Sequence, residues 1–169
     1  MPKITSLREL LLHELRDIYS AEKQSLKAYP KIMKAAKHEE LKEALDAHRV
    51  QTEGQVARLE QVFEKLGVPA KAVKCLAMEG LIKEAQEMLA EDISADLLDA
   101  AIIGSAQKME HYEIASYGTV RTFAEILEED EVVDLLQETL DEEKETDEKL
   151  SELAENVVNA DAEDTSDDE

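Results

Sequence analysis

Acidic side chains recur at positions of this chain that helical spacing turns inward, where a carboxylate needs a counter-charge. Reading at i, i+3, i+4, i+7 gives a first stripe of Leu11, Leu15, Ile18, Glu22 and Leu26. Another holds Ala106, Glu110, Glu113, Tyr117, Val120 and Ala124, and a third holds Leu136, Leu140, Glu143, Asp147 and Leu150. No lysine or arginine falls on these stripes. An ionised carboxylate in an apolar medium must protonate, pair with a cation or bind a metal. Glu110 with Glu113, and Glu143 with Asp147, are a turn apart on one face, a spacing that can bridge or flank a pair of metal ions. The chemistry these residues point to is metal binding inside a helix bundle.

A further acid, Glu53, lies at the edge of a face formed by Leu41, Leu45, Thr52, Val56, Leu59 and Phe63. With it the candidate ligands are Glu22, Glu53, Glu110, Glu113, Glu143 and Asp147. Six ionised carboxylates exceed the charge of two divalent ions, so the set implies trivalent metal, partial protonation or partial exposure. Oxygen donors suit hard ions, and iron is expected, with manganese as the alternative. His48 shares the broad side of Glu53 and reads as a hydrogen-bonded structural histidine. His111 points about 100° away from Glu110 and falls outside the ligand set. Tyr19, Tyr112 and Tyr117 read as packed phenols with satisfied hydroxyls.

Four long helices must position these groups. Ser6-Leu7-Arg8-Glu9 has the Ser-x-x-Glu form of a capping box and opens the first, in which Pro30 predicts a kink or break near Tyr29. The second runs from Glu39 to Leu66 and stops at Gly67-Val68-Pro69. A third spans Ser94 to Leu127. The turn Glu128 to Asp130 then forces the fourth to be its antiparallel neighbour. Between the second and third lies an amphipathic stretch with Leu76, Leu81, Ile82, Ala85 and Leu89, long enough as a helix of about 25 Å to travel back along the bundle. The fold expected is all-α, a ferritin-like four-helix bundle with a long helical crossover between helices 2 and 3.

The composition agrees with helices, since glycine and proline together number eight in 169 residues and tryptophan is absent. With 41 acidic and 19 basic residues the formal charge is −22, which repels nucleic acid and anionic membrane surfaces. The last ten residues hold six of the acids and no base; without them −16 remains. The organisation expected is a bundle domain over 1–159 and a disordered acidic tail over 160–169. A single cysteine, Cys75, excludes an intrachain disulfide and fits a reducing cytoplasm. No apolar run approaches the roughly 20 residues of a membrane span, so a soluble, unexported protein is expected. The chain carries no GxGxxG, P-loop, HExxH or GxSxG motif.

Four segments carry a resemblance: Asp17-Ile18-Tyr19-Ser20-Ala21-Glu22-Lys23-Gln24; Lys74-Cys75-Leu76-Ala77-Met78-Glu79-Gly80-Leu81-Ile82; the run from Ala106 to Thr119, which contains Glu110-His111-Tyr112-Glu113; and Glu142-Glu143-Lys144-Glu145-Thr146-Asp147. In them the chain resembles the YciE/YciF family of bacterial ferritin-like stress proteins, over nearly its whole length before the acidic tail. More broadly it is similar to rubrerythrin-type di-iron proteins. Their pattern implies a glutamate on helix 1, Glu-x-x-His on helix 2, Glu-x-x-Glu on helix 3 and Glu-x-x-His on helix 4. Glu22, Glu53, Glu110 with Glu113, and Glu143 match it. The two histidine positions are Val56 and Thr146 here, with Asp147 as a candidate replacement for the second. The resemblance implies a cytoplasmic stress-response protein that forms a homodimer.

Two functions follow as expectations. One is a non-haem di-metal, di-iron protein that oxidises iron or reacts with oxygen or peroxide at a carboxylate-bridged centre. There Glu53 and Glu143 bridge, and the remaining acids are terminal ligands. The alternative is a structural or protein-binding stress factor whose metal only stabilises the bundle.

Overall fold

The computed structural model describes residues 3–164, and every regular element among them is helical. Helix α1 spans Leu7–Ala35, α2 Glu39–Lys65, α3 Leu76–Met88, α4 Ala95–Ile126 and α5 Asp130–Leu153. A π-helical turn, Ala154–Val158, continues α5 into the short α6, Asn159–Asp164. Helices α1, α2, α5 and α4 pack in that order around a ring, and α3 lies outside against α1 and α4. This is the ferritin-like bundle with its helical crossover. Helix α6 carries the chain five residues into the segment expected to be an acidic tail; positions 165–169 lie outside the described residues.

Local chemistry fixes the helix ends. The Ser6 hydroxyl accepts the Glu9 N–H at 3.2 Å, as the capping box predicts, but the Glu9 carboxylate turns to the N–H and hydroxyl of Thr5, each at 2.7 Å. Pro30 does not break α1, for it sits on the exposed side and the helix continues to Ala35. Gly67, at φ +70°, closes α2, with the Val68 N–H reaching the Phe63 carbonyl at 3.0 Å. The α4–α5 turn uses the same left-handed geometry without a glycine: Glu128 is at φ 58°, and the Glu129 N–H reaches the Ala124 carbonyl at 3.0 Å.

The crossover is held by a polar ladder on α1. Val73 donates its N–H to the Arg16 carbonyl at 3.0 Å and Cys75 donates to the Ser20 hydroxyl at 3.1 Å. The Gln24 amide donates to the Cys75 carbonyl at 3.0 Å. Arg16, Ser20 and Gln24 are spaced by four, so one face of α1 steers the chain back along the bundle.

Two apolar clusters fill the bundle. One gathers Leu11, Leu15, Ile18, Leu59, Phe63, Val120, Ala124, Val132 and Leu136 at the end holding the α2 terminus and the α4–α5 turn. The other gathers Tyr29, Ile32, Leu41, Leu45, Met78, Ile102, Met109 and Leu150 at the opposite end. Between them every helix of the ring presents buried polar side chains: Glu22 and Ser25, His48, Thr52 and Gln55, Glu110 and Glu113, Thr139, Glu143 and Thr146.

At the α1–α2 turn the cap comes from elsewhere. His38 offers no side-chain cap to α2. Instead the buried Asp99 of α4 accepts the N–H groups of Lys37 at 2.8 Å and His38 at 2.7 Å. Asp99→Ala leaves both donors unanswered beneath the bundle end. It is expected to lower stability by about 2–3 kcal/mol in urea denaturation, the range for buried bonds to a charged acceptor. A change within experimental error rules out this cap.

Candidate metal centre

The polar layer is assembled by spacing alone. On α2 the residues Leu41, Leu45, His48, Thr52, Gln55, Leu59, Val62 and Leu66 advance by three and four and are all buried, so His48 arrives at the centre in register with the apolar stripe. Glu22 lies between Ile18 and Ser25 on α1, while Glu110 and Glu113 project one turn apart from α4 and Glu143 from α5. One donor atom from each of His48, Glu110, Glu113 and Glu143 lies within 4.8 Å of the others. His48 Nε2 is 3.0 Å from Glu110 Oε1 and 3.8 Å from Glu143 Oε2. Glu22 completes the layer and accepts the Tyr117 hydroxyl at 2.5 Å.

A ring of contacts orients these groups. Thr146 donates its only hydroxyl proton to Gln51 Oε1 at 3.3 Å, so its oxygen, 3.2 Å from His48 Nδ1, acts there as an acceptor. With Nδ1 against the Thr146 hydroxyl, the ring's other nitrogen, Nε2, faces the carboxylates. A histidine that gives one N–H to a neighbour and aims the other nitrogen inward has the arrangement of a metal ligand. The Tyr29 ring meets the imidazole edge to face at 5.6 Å, and the Ser25 hydroxyl lies 3.5 Å from Glu113 Oε1.

The layer is electrostatically expensive without a cation. Burial, followed by the charge of Glu143, pushes the Glu22 carboxyl up to about 8. Burial likewise takes Glu110 to about 8, against the lowering effect of its hydrogen bond with Glu143. Glu113 and Glu143 rise well above the ordinary carboxylate value, through burial first and then the charges of their neighbours. Buried polar atoms that find no hydrogen-bond partner outside the cluster converge here: Oε2 of Glu22, Nε2 of His48, and both carboxyl oxygens of Glu110 and of Glu143. His48, Glu110, Glu113 and Glu143, with Glu22 beside them, are desolvated and face one another, and their oxygen and nitrogen donors fit a metal ion.

The structure thus brings together Glu22, Glu110, Glu113 and Glu143. Glu53 requires correction: its side chain is 57% exposed and binds Arg49 at 2.6 Å, because it lies about 140° around α2 from His48 at 3.6 residues per turn. Asp147 stays at the margin, accepting the Gln107 amide at 3.2 Å and lying 3.3 Å from His111 Nε2. His48, read from the sequence as structural, puts a nitrogen into the cluster. Its signal was the three-four stripe of α2, which passes through His48 and misses Glu53.

Fold and site together define a ferritin-like bundle with a buried histidine–carboxylate layer. Residues 6–163 match the family described as "Domain of unknown function (DUF892)", and the chain belongs to that family. It is 48% identical to Protein YciF of Escherichia coli (strain K12) over 159 residues, covering 94% of this chain and 96% of that protein. The crystal structure of the E. coli stress protein YciF superposes with a TM-score of 0.89 at 47% identity, over 92% of this chain and 99% of the other. YcfI of Rhodopseudomonas palustris gives 0.87 at 47% identity over 89% and 96%. A protein from Xanthomonas campestris pv. campestris gives 0.76 at 26% identity over 95% and 99%.

The raised carboxyls make a pH prediction for the metal-free protein. Glu22 and Glu110 keep their protons in the folded state up to about 8 and release them near the ordinary value of 4.5 when unfolded, and Glu113 and Glu143 are raised in the same direction. Their stabilisation is therefore full at low pH and is lost as pH rises through this window. The urea midpoint of chelator-treated protein should fall between these limits. A midpoint that rises across the same window contradicts neutral burial of these groups.

Proposed function

We propose that the protein is a non-haem di-metal protein of the stress response, holding two iron ions, or manganese in their place, in the layer of Glu22, His48, Glu110, Glu113 and Glu143. The observation that carries this reading is the inward-facing Nε2 of His48 among buried carboxyl oxygens that find no partner outside the layer. With Glu53 at the surface and Asp147 at the margin, four inner carboxylates remain, and their charge balances two divalent ions. Iron bound there supplies one-electron redox chemistry toward oxygen or peroxide. The chain's own part is to fix the donors and exclude water: all five residues are buried, and Thr146 holds the imidazole orientation. Glu110 and Glu143, face to face, can pass a proton between them as the layer's charge changes.

The same burial favours a second reading, in which metal serves stability alone. A ligand bound only by the folded state raises stability by linkage whether or not it reacts. Among the described residues no helix is long and apolar enough to cross a membrane. The single free thiol of Cys75 supports a reducing cytoplasm, and the acidic charge supports a protein that avoids nucleic acid and anionic membrane surfaces. Homodimer formation belongs to the proposal through the family resemblance.

Anaerobic Fe(II) loading followed by metal analysis tests the site. About two ions per chain are expected in a two-metal centre of this kind. Glu110→Gln and Glu143→Gln should lower the stoichiometry, and Glu53→Gln should leave it unchanged. Ultraviolet absorbance that grows on addition of peroxide supports redox chemistry, whereas inert binding that only raises the melting temperature selects the stabilising role. Unaltered loading in both Glu110→Gln and Glu143→Gln overturns the assignment.

A further inference from the structure

A second constellation lies beside the layer, where α1, α3 and α4 meet. Tyr112 of α4 donates its phenol proton to Asp17 Oδ2. Its oxygen also lies 3.0 Å from Cys75 Sγ. A phenol has one proton, and here it is committed to the carboxylate, so the Cys75 thiol is the donor toward the phenol oxygen. Cys75 Sγ in turn accepts the Met78 N–H at 3.3 Å. The result is a directed chain, Met78 N–H to Cys75 to Tyr112 to Asp17, that ends on a carboxylate.

This chain also has an inner end and an outer end. Inward, Met78 Sδ lies 3.4 Å from the Ser25 hydroxyl, which lies 3.5 Å from Glu113 Oε1 in the metal layer. Outward, Tyr112 lines an open groove of about 720 Å³ between α3 and α4, with Leu76, Ala77, Gly104, Gln107 and His111. Three oxidisable side chains, Met78, Cys75 and Tyr112, therefore connect the buried cluster to a surface that solutes can reach.

We propose that Tyr112 is a one-electron redox site, with Asp17 as its proton acceptor, that relays electrons between the groove and the buried metal layer. The relay rests on the di-metal reading for its inner partner. When peroxide has oxidised the bound metal, Tyr112 gives one electron to it, lowering its charge by one. The phenol proton passes to Asp17 Oδ2, leaving a neutral phenoxyl beside a neutral carboxylic acid. A hydrogen atom from the Cys75 S–H restores the phenol, and the thiyl left on Cys75 takes a hydrogen atom from a small one-electron donor such as ascorbate at the groove, which departs as its own radical; Asp17 returns its proton to water.

Each of the other phenols lacks at least one of these parts. Tyr19 is paired with Glu60 at 2.7 Å, but the Lys23 ammonium sits 4.7 Å from its ring centroid, and a cation over the ring opposes loss of an electron. Tyr117 gives its proton to Glu22, whose carboxylate belongs to the metal layer and is not free to accept it. Tyr29 lies wholly buried against His48. Only Tyr112 combines an acceptor outside the layer, a neighbouring thiol and access to the surface.

Electron paramagnetic resonance on rapidly frozen samples tests this. Iron-loaded protein mixed with peroxide should show a tyrosyl radical signal that narrows when ring-deuterated tyrosine is incorporated. The signal should be lost in Tyr112→Phe with metal content unchanged, fall severalfold in Asp17→Asn and persist in Tyr19→Phe. Cys75→Ser should prolong it, and ascorbate should shorten it. A second arm uses metal-free protein and a photosensitised one-electron oxidant, which should place the radical on Tyr112 by the same variants. Metal content measured on each sample separates the two readings. Protein that takes up no iron removes the relay's inner partner, and the metal-free arm then decides whether Tyr112 is the redox site. No tyrosyl signal in loaded protein, or one that survives Tyr112→Phe, overturns the proposal.

Discussion

Everything in this bundle is arranged around the desolvation of four carboxylates and an imidazole at its centre. Burying such groups in an apolar medium is unfavourable by more than a small domain's whole stability if they stay ionised and unpaired. The layer meets this constraint by proton uptake in the metal-free state, as the raised carboxyls of Glu22 and Glu110 show, and its donor geometry accommodates cations as the alternative. The neighbouring helices then follow: each must deliver a polar residue to one level while keeping apolar residues above and below it. The result is a core in two pieces.

Orientation within that layer depends on residues too modest to attract notice. Thr146 stands where the rubrerythrin pattern has a histidine, and its hydroxyl instead engages the ring of His48 from the neighbouring helix. The imidazole is thus supplied by α2 and aligned by α5, while Gln51 takes the threonine proton. Short polar side chains at these positions decide which nitrogen faces inward, and with it whether the site can ligate a cation.

Much of this was readable from the residues. The helix limits followed from Ser6, Ser94 and Gly67, and the stripes on α1, α4 and α5 placed Glu22, Glu110, Glu113 and Glu143 in the interior. Helix α2 was harder, because two stripes one residue apart fit its leucines nearly equally. Choosing the one with Val56 and Phe63 brought Glu53 to the edge, whereas the stripe through Gln55 and Val62 centres His48. Long-range polar contacts left no local trace at all: nothing near Lys37 and His38 announces that Asp99, some sixty positions later, caps their helix. The α4–α5 turn was legible in place but not in geometry, since Glu128 takes a left-handed conformation that sequence rules favour for glycine or asparagine.

The divided core bears on how the molecule comes apart. Each apolar half is sealed on its own, and the polar level between them contributes little cohesion while its carboxyls merely share protons. The four helices then connect two partly independent folding units, as in chains whose native-state hydrogen exchange proceeds through sub-global openings. A cation bound by side chains from all four helices would act as a rivet through that seam. It would make opening of one half require the other and turn a composite core into a single cooperative one.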